Sequence, residues 1–565
     1  MHRSLTLLAL AVALLAGSAA AQNEDDVRQT AQFDAFRLGR HLGADAGGGT
    51  DLPLRAAYVR SPEEFEGRDL VEAEFIIDLV RSAIRPDSWD EEGAEISIIG
   101  HRISVTHTPE VVAEVRTFMA ALEAALLSPL VVELWESPGA RPGSVTAEEA
   151  RALIGVQGAR LLARRTMIAG QSMRMGSTER TAFVGDLDVE VAQKSRADDP
   201  QTMVVNTGTD LCLTAGWTVN GQLYLDAVAT ISRLEELRRR PSGSANGAEI
   251  ELPRVASRRA SGTGVVAPGG GIVLVAGERA GAASVLLRVS GAAPTETFGP
   301  GFSSASLIAL TTMERRFPPI SILQSRISFD GPDVEEGQPL VEADWLVELL
   351  QRAAGPDWFD APGNQINMLN DRVFLRGAPE QVAPMRLRCG AMEREFPTHR
   401  VEFRVVELSD LAGDPLVHAR ESKKVVASGG TSAMDGRSFR ILAGREIAVL
   451  MDLDVEIAQE AQTHDPVVGL VFDGYVFDGR VTRMNGDRLA LRGVFTRQDL
   501  AASEGLRQPE FVDKTNGVQA ALDQPATGGT RQEIAMPVEP GAWSLASVFS
   551  GSRGTQALLV RIDAQ

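Results

Sequence analysis

Apolar residues recur every three or four positions between residues 71 and 84, which is the period of an amphipathic helix. Pro86 and Asp87 end this pattern. The residues that share the predicted apolar face are Val71, Phe75, Ile76, Leu79, Val80, Ala83 and Ile84. We therefore expect this face to pack against a sheet.

Two short apolar segments follow, Ile96–Ile99 and Ile103–Val105, with a tight turn between them. A second helix is predicted to begin at Thr108, because Pro109 is favoured at the first helical position. Its apolar stripe comprises Val112, Val115, Phe118, Met119 and Leu122. With a strand near residues 57–59, the pattern predicts a two-layer β-α-β-β-α module of roughly 70 residues.

The next part of the chain is predicted to be mostly strand, beginning at Val131–Trp135. Thr146 and Glu149 form a capping-box pattern that predicts one short helix. Hairpin turns are predicted at Asn220-Gly221, Gly474 and Asn485-Gly486, and turns before closing strand pairs at Pro268-Gly269 and Pro540-Gly541. Stretches 241–248 and 291–304 are rich in small residues and predict loops or linkers.

The chain repeats itself. Leu70–Leu79 (LVEAEFIIDL) returns as Leu340–Leu349 (LVEADWLVEL), and Asp186–Gln193 (DLDVEVAQ) returns as Asp452–Gln459 (DLDVEIAQ). The offset between the copies is constant within each module, and a net deletion of four residues in the second copy accounts for the difference between modules. Because chance does not hold a register over this distance, we interpret the chain as two homologous halves.

The predicted fold class is therefore α+β, a tandem duplication of a small βαββα module followed by a mostly antiparallel β module. The predicted boundaries are a signal peptide 1–21, an N-terminal linker 22–55, a first small module 56–129, a first β module 130–290, a linker 291–325, a second small module 326–398 and a second β module 399–565.

The N-terminus predicts export. One basic residue, Arg3, precedes the apolar run Leu5–Leu15 and an Ala-x-Ala sequence that ends at Ala21. The run is shorter than the roughly 20 apolar residues that span a bilayer. We expect the mature chain in the periplasm, the outer membrane or elsewhere in the cell envelope. Cys212 and Cys389 do not correspond between the halves, so we expect two buried thiols rather than a disulfide.

Charge and composition narrow the class of function. Acidic residues outnumber basic ones by 76 to 56, giving a net charge of −20, which disfavours a nucleic-acid partner. No phosphate-binding loop, serine nucleophile elbow or zinc-protease motif occurs in the sequence. We therefore expect no cofactor and no enzymatic activity. His101 and His107 are predicted to be surface residues.

The repeated acidic segments carry the strongest candidate chemistry. The residues concerned are Asp186, Asp188, Glu190, Asp452, Asp454 and Glu456. Carboxylates on one strand face could bind Ca²⁺ through hard oxygen ligands, with Asp199 or Asp465 nearby. The simpler interpretation, which we favour, is the solvated polar face of a half-buried strand.

Several of these segments resemble the secretin family of bacterial type II and type III secretion systems. Leu70–Trp89, the hairpin and the Thr108-Pro109-Glu110 helix start resemble the small, KH-like periplasmic N-domains of secretins, in a variant common in planctomycete-type envelope proteins. Ile250–Val255 and Val266–Gly270, which leads into Ile272–Gly277, resemble a degenerate secretin core motif. The resemblance covers nearly all of the mature chain, twice over.

The chain also departs from the family pattern. Secretins carry several N-domains before one long β-domain, whereas here a short N-domain and a short β module alternate twice. Val538–Trp543 replaces the double-glycine turn in the second copy. The acidic strand faces argue against lipid contact at those strands.

The resemblance implies a non-enzymatic cell-envelope protein that contributes to protein secretion by oligomeric assembly or docking. Its partners would be further copies of the chain or other secretion and envelope proteins, with an association with the outer membrane. An alternative is a periplasmic or surface binding protein, Ca²⁺-dependent through the acidic segments, that kept the fold without forming a pore. A hydrolase with paired carboxylates ranks last, because no nucleophile or orienting histidine supports it.

Overall fold

A computed structural model of the chain describes residues 28–34, 73–99, 102–192, 195–242, 247–278, 283–294, 297–299, 302–314, 323–324, 338–355, 357–358, 361, 363–369, 371–408, 413–458, 461–484, 488–500, 506–507, 510–513, 518–551 and 554–565. The predicted signal peptide and the predicted strand at 57–59 lie outside these residues.

The first half of the described chain contains a small α/β part and then a strand-rich part. The small part comprises β1 (Gln29–Asp34), α1 (Ala73–Ala83), a 3-10 turn (Pro86–Asp90), β2 (Glu95–Ile99), β3 (Arg102–His107) and α2 (Pro109–Leu126). The strand-rich part comprises β4 (Pro129–Glu136), β5 (Gly143–Val145), α3 (Ala147–Ile154), β6 (Arg160–Ile168), β7 (Gln171–Ala192), β8 (Ser195–Trp217), β9 (Leu223–Pro241), β10 (Glu249–Val266), β11 (Gly271–Glu278) and β12 (Ala283–Gly291).

The second half has a similar order. Its small part comprises β13 (Thr297–Gly299), β14 (Phe302–Ser306), α4 (Ile308–Thr311), β15 (Leu323–Gln324), α5 (Ala343–Ala354), β16 (Gln365–Leu369), β17 (Arg372–Arg376) and α6 (Pro379–Glu395). Its strand-rich part comprises β18 (Thr398–Glu407), α7 (Pro415–Glu421), β19 (Val425–Met434), β20 (Ser438–Ala458), β21 (Ala461–Arg483), β22 (Leu489–Leu500), β23 (Leu506–Arg507), β24 (Glu510–Asp513), β25 (Val518–Ala521), β26 (Gln524–Pro525), β27 (Thr527–Val538), β28 (Ser544–Gly551) and β29 (Gly554–Ala564).

Most strands lie in two large antiparallel sheets that each run through both halves. Sheet A has the strand order β27-β22-β21-β20-β10-β9-β8-β7, with β15 added beside β21. Sheet B has the order β28-β29-β18-β19-β11-β12-β4-β6, with β5 added beside β11. The small parts form the sheets β1-β3-β2 and β13-β14-β17-β16. The described fold is thus mostly antiparallel β, in several sheets.

Sheets A and B stack face to face, because the alternate residues of each strand that point between them are apolar. In the first half this core contains Leu134 and Leu287 of sheet B together with Leu213 and Leu225 of sheet A. In the second half it contains Phe403 and Val560 of sheet B together with Phe439 and Phe477 of sheet A. Each half therefore has its own two-layer core.

The helical face predicted for the first small part is confirmed where it is described. Ile76, Leu79 and Val80 of α1 are fully buried, as are Val115 and Leu122 of α2. Thr108 is the N-cap residue of α2, with Pro109 at its start. Hydrophobic periodicity thus identified both the type of these helices and the side that packs.

Both predicted linkers contain a strand. Residues Gln29–Asp34, inside the predicted linker 22–55, form β1 and pair antiparallel with β3. Residues Phe302–Ser306, which lie inside the predicted linker 291–325 and overlap the predicted loop 291–304, form β14 and pair with β17 in the same way. The loop prediction was wrong here, because pairing with a strand that lies far along the chain outweighs a small-residue composition that disfavours strands.

Gly474 was predicted to mark a hairpin, and this prediction was wrong. It lies inside the 23-residue strand β21, directly opposite Gly444 of β20. A Cβ atom on Gly474 would overlap the carbonyl oxygen of Ala443 and the Cα of Gly444. The glycine is needed for close approach of two strands rather than for a turn.

The predicted turn at Asn220-Gly221 is confirmed, with Gly221 in the left-handed region at φ 71°, while Asn485-Gly486 lies outside the described residues.

Candidate assembly interface

The two halves are joined by two strand pairings, which we call the inner seam. In sheet A, Arg254–Ala260 of β10 lie antiparallel to Ile441–Ile447 of β20. In sheet B, Val275–Glu278 of β11 lie antiparallel to Ala427–Gly430 of β19. Backbone hydrogen bonds therefore run across the boundary between the halves in both layers.

The inner seam joins unlike edges. In sheet A the first half contributes β7 to β10 in that order, and the second half contributes β20, β21, β22 and β27 in the same order. The seam pairs the last strand of the first set with the first strand of the second set. In sheet B it likewise pairs β11, at one side of the first set, with β19, at the other side of the second. A contact of this head-to-tail kind is heterologous.

Several features recur at corresponding places in the two halves. Sheet A has a bulge between Val184 and Asp186 of β7, and another between Leu450 and Asp452 of β20, which are the counterpart positions in the repeat. In sheet B, Arg288 pairs with Glu133 and Arg561 pairs with Glu402. In the predicted repeat, the bulges match β7 with β20, and the ion pairs match β4 and β12 with β18 and β29. The strand order of sheet A then matches β10 with β27.

Corresponding strands differ in exposure. Residues 176–180 of β7 are exposed, whereas residues 442–446 of β20 are buried apart from the half-buried Arg445. The side chain of Arg174 is 48% exposed, and that of Arg440, its counterpart in β20, is 3% exposed. In the described part of the chain, β7 and β6 form one outer edge of the sheets, and β27 and β28 form the other. We call these the first-half edge and the second-half edge.

Polar bonds fix the two layers to each other at the inner seam. The hydroxyl of Tyr475 accepts a hydrogen bond from the Gly277 amide at 3.1 Å and lies 2.9 Å from the Ser428 carbonyl oxygen, to which it donates. The Thr431 hydroxyl donates to the Ser261 carbonyl oxygen at 2.6 Å. These buried bonds tie sheet A to sheet B and the first half to the second.

A buried carboxylate, Asp523, joins the halves a second time. It accepts hydrogen bonds from the Leu450 amide at 3.0 Å and from Arg238 of the first half at 2.8 Å, and it lies 3.7 Å from Arg240. Burial lowers the pKa of Arg238, which nevertheless stays protonated as arginine does throughout the physiological range. This ion pair therefore crosses the seam.

Glu251 has the corresponding place in the first half. It accepts from the amide of Val184, the bulge residue that corresponds to Leu450, at 3.1 Å. Its cationic partner is Arg239 of its own half, at 3.4 Å. The same motif thus closes the bulge in both halves, but only Asp523 reaches across the seam. Sequence reasoning missed both residues, and the only signal was an acidic residue near the start of β10 and another shortly before β27.

The small parts pack in the same order as the large sheets. Phe75 and Phe118 of the first small part contact Phe374 and Phe302 of the second, with ring centroids 5.8 and 5.3 Å apart. Trp345, the counterpart of Phe75 in the repeat, is instead 51% exposed. The helical side of the first small part is therefore covered by the second, while the corresponding side of the second carries an exposed aromatic ring.

The acidic segments lie near the ends of two long hairpins, β7–β8 and β20–β21. Their backbone register sets Asp188 opposite Asp199 and Asp454 opposite Asp465, so the proximity predicted for these carboxylates holds for the backbone. Asp186 and Asp452 each accept a hydrogen bond from the amide of the following residue, at 2.9 and 2.8 Å. The side chains of Asp188, Glu190 and Glu456 lie outside the described set.

Among the described residues no cluster of three or more potential metal ligands is found. Calcium binding at the acidic segments stays a prediction.

His107 was predicted to be exposed, and this prediction was wrong. The side chain is buried, with Nδ1 accepting from the Thr108 amide at 2.8 Å and Nε2 lying 3.1 Å from the Ser88 carbonyl oxygen. Its ring also packs edge-on against Trp89. The position of His107 next to a predicted turn suggested an exposed side chain, whereas the ring packs at the end of the hydrophobic core of the first small part. His101 lies outside the described residues, and Cys212 and Cys389 are both buried thiols.

No protein-family model and no curated protein sequence matches the chain. Among solved structures, it is similar to the Salmonella SPI-1 type III secretion injectisome secretin InvG, at 10% identity and a TM-score of 0.22, covering 47% of this chain and 87% of that one. The type II secretin GspD of enteropathogenic Escherichia coli matches at 8% identity and a TM-score of 0.20, covering 40% and 85%.

A chain of the Klebsiella pneumoniae type II secretion system outer membrane complex, which contains PulD, PulS and the PulC HR domain, matches at 8% identity and a TM-score of 0.22, covering 97% and 76%. In the part of the chain that the structure describes, no helix is both long and apolar enough to cross a bilayer.

Proposed function

We propose that this chain is a non-enzymatic, secretin-like protein of the cell envelope that acts by assembling with copies of itself into closed rings. The inner seam carries this proposal. It is a heterologous contact between corresponding units, and such contacts repeat until the assembly closes on itself or grows as a filament.

The edges needed for repetition are present. The first-half edge (β6 and β7) corresponds to the strands that the second half uses at the seam, and the second-half edge (β27 and β28) corresponds to the strands that the first half uses. Edge strands with accessible backbone groups readily accept another strand. Both sheets offer the same direction of growth, so one chain could add to the next in both layers at once.

The sequence resemblance supports the same assignment. The duplicated small module resembles secretin N-domains, and the predicted export signal suits an envelope protein. On this interpretation each chain supplies two successive units of the ring, and a role in protein secretion follows from a ring that encloses a passage.

The direct test is the oligomeric state of the mature chain. We expect size-exclusion chromatography with light scattering to give a discrete multiple of the chain mass, and negative-stain images to show rings, in buffer or in mild detergent. Filaments would contradict ring closure. A strictly monomeric protein at all concentrations, with and without detergent, would refute the proposal.

A further inference from the structure

We infer that the contact between successive chains places Arg174 of one chain opposite Glu533 of the next, in a register set by the inner seam. This inference rests on the proposed function and deepens it, because it names the partner of each outer edge and the charge pair that aligns them. The partner is a second copy of this chain.

The register follows from the correspondence of the halves. The bulges align Val184 of β7 with Leu450 of β20, and the turns at Gly269 and Gly541, with φ 82° and 81°, align the end of β10 with the end of β27.

The residue register of the inner seam can then be applied to the contact between the outer edges of two chains. Residues 254–260, which face residues 441–447 in the inner seam, correspond to residues 526–532. Residues 441–447 correspond to residues 175–181. Residue 526 of one chain therefore faces residue 181 of the next, and residue 532 faces residue 175.

The next pair in this register is Glu533 with Arg174, and its charges are opposite. The Glu533 side chain is 81% exposed and lies 4.0 Å from Arg531 of its own chain. Arg174 uses its Nε to donate to Asp210 at 2.8 Å, a bond that raises the pKa of Arg174. The Nη groups of its guanidinium supply further donors. Arg531 falls opposite Gly176, which offers no side chain to repel it.

The corresponding pair in the inner seam is chemically different. There Ser261 and Arg440 meet, and the Arg440 amide donates to the Ser261 hydroxyl at 2.7 Å. The Arg440 guanidinium is held by both carboxylate oxygens of Asp478, at 2.6 and 2.7 Å. A glutamate in place of the serine would lie opposite an arginine that donates to Asp478 through both Nε and an Nη group, whereas Arg174 donates to Asp210 through Nε. The outer edges therefore carry an ion pair that the inner seam does not use.

Disulfide cross-linking tests the register. In a chain with Cys212 and Cys389 replaced by alanine, Ser177→Cys with Thr530→Cys places two cysteines directly opposite each other across the proposed contact. Ser177→Cys with Gln532→Cys is the matched control, because a shift of two residues moves the Cβ atoms to about 7 Å apart, beyond disulfide reach. Mild oxidation should link the first variant into covalent multimers and leave the control unlinked.

Cross-linking of the control alone, or of neither variant while rings still form, would overturn the register but leave the proposed function standing. Absence of any oligomer of the unmodified chain would overturn both.

Charge reversal tests the ion pair. Glu533→Lys should raise the concentration needed for half-assembly by roughly three- to tenfold, because an attraction becomes a repulsion. Adding Arg174→Glu to it should recover most of that loss. Glu179→Lys is the control, since it makes the same charge change at the same contact, on the first-half edge, opposite Gly528. Equal effects of Glu533→Lys and Glu179→Lys, or no recovery in the double variant, would overturn the assignment.

Discussion

Removal of the Asp523 carboxylate tests how strongly the second half is fixed to the first. Asp523→Ala deletes the acceptor of the Leu450 amide and the ion pair with Arg238. A hydrogen bond to a charged group contributes about 1.5–3 kcal/mol, and breaking a buried ion pair costs about 3–5 kcal/mol. Arg238 is 19% exposed and retains a bond to the Ala448 carbonyl oxygen. We therefore expect a total loss of about 3–4 kcal/mol.

Glu251→Ala provides the matched control. It removes the equivalent bond to the Val184 amide, but its ion pair is with Arg239, which is 70% exposed. Such a pair contributes about 0–1 kcal/mol, so the expected loss is about 2 kcal/mol. Asp523→Asn should lie between the two, because an amide oxygen still accepts from Leu450 while the charge is lost.

Urea unfolding followed by tryptophan fluorescence measures the overall loss. Because a chain with several modules need not unfold in one step, hydrogen exchange at the amides of Leu450 and Val184 provides the local comparison. Exchange at Leu450 should accelerate more in Asp523→Ala than exchange at Val184 does in Glu251→Ala. Equal losses in the two variants would refute the conclusion that this carboxylate joins the halves.

Three further outcomes are expected. Gly474→Ala should destabilise the second β core by about 1–3 kcal/mol in thermal unfolding, because the added Cβ overlaps the Ala443–Gly444 backbone. Gly528→Ala is the control and should not destabilise it, because the space around Gly528 is open. Burial raises the pKa of Asp371, so Asp371→Asn should increase the free energy of unfolding at pH 7. This increase over the parent protein should shrink as the pH falls through that raised pKa towards the usual aspartate range. A difference that stays constant from pH 7 to pH 4 would contradict this. Trp217→Phe should lower the free energy of unfolding by about 1–2 kcal/mol, because it removes the indole donor that lies 3.1 Å from the buried Ser128 hydroxyl. The same substitution should cost less in a chain that already carries Ser128→Ala. Additive losses would show that the bond contributes nothing.

Local patterns predicted local structure well. The capping box at Thr146 is present, with the Glu149 amide donating to the Thr146 hydroxyl and the Glu149 carboxylate accepting from the Thr146 amide. The bonds that this carboxylate accepts from the amide and hydroxyl of Thr146 lower the pKa of Glu149. The turns at Gly269 and Gly541 also lie where the sequence placed them. Each of these features is decided by residues within a few positions of each other.

Features that depend on distant partners could not be predicted. The strand at Phe302–Ser306 exists because β17 lies beside it, and β10 meets β20 although the whole second small part separates them along the chain. Arg238 reads in the sequence as one more surface cation, and only the fold brings Asp523 to it. Gly474 shows the same limit, because a glycine that lets two strands approach has the same local signature as one in a turn.

The two halves that meet at the inner seam belong to one polypeptide chain, and this changes how an assembly would form. Within one chain, the pairing of β10 with β20 is intramolecular, so it does not depend on the concentration of the protein. A ring built from such chains requires only half as many encounters between separate molecules as one built from single units. Such a ring would contain an even number of halves, joined alternately by inner seams and by contacts between chains. Its highest rotational symmetry would therefore equal the number of chains, which is half the number of halves.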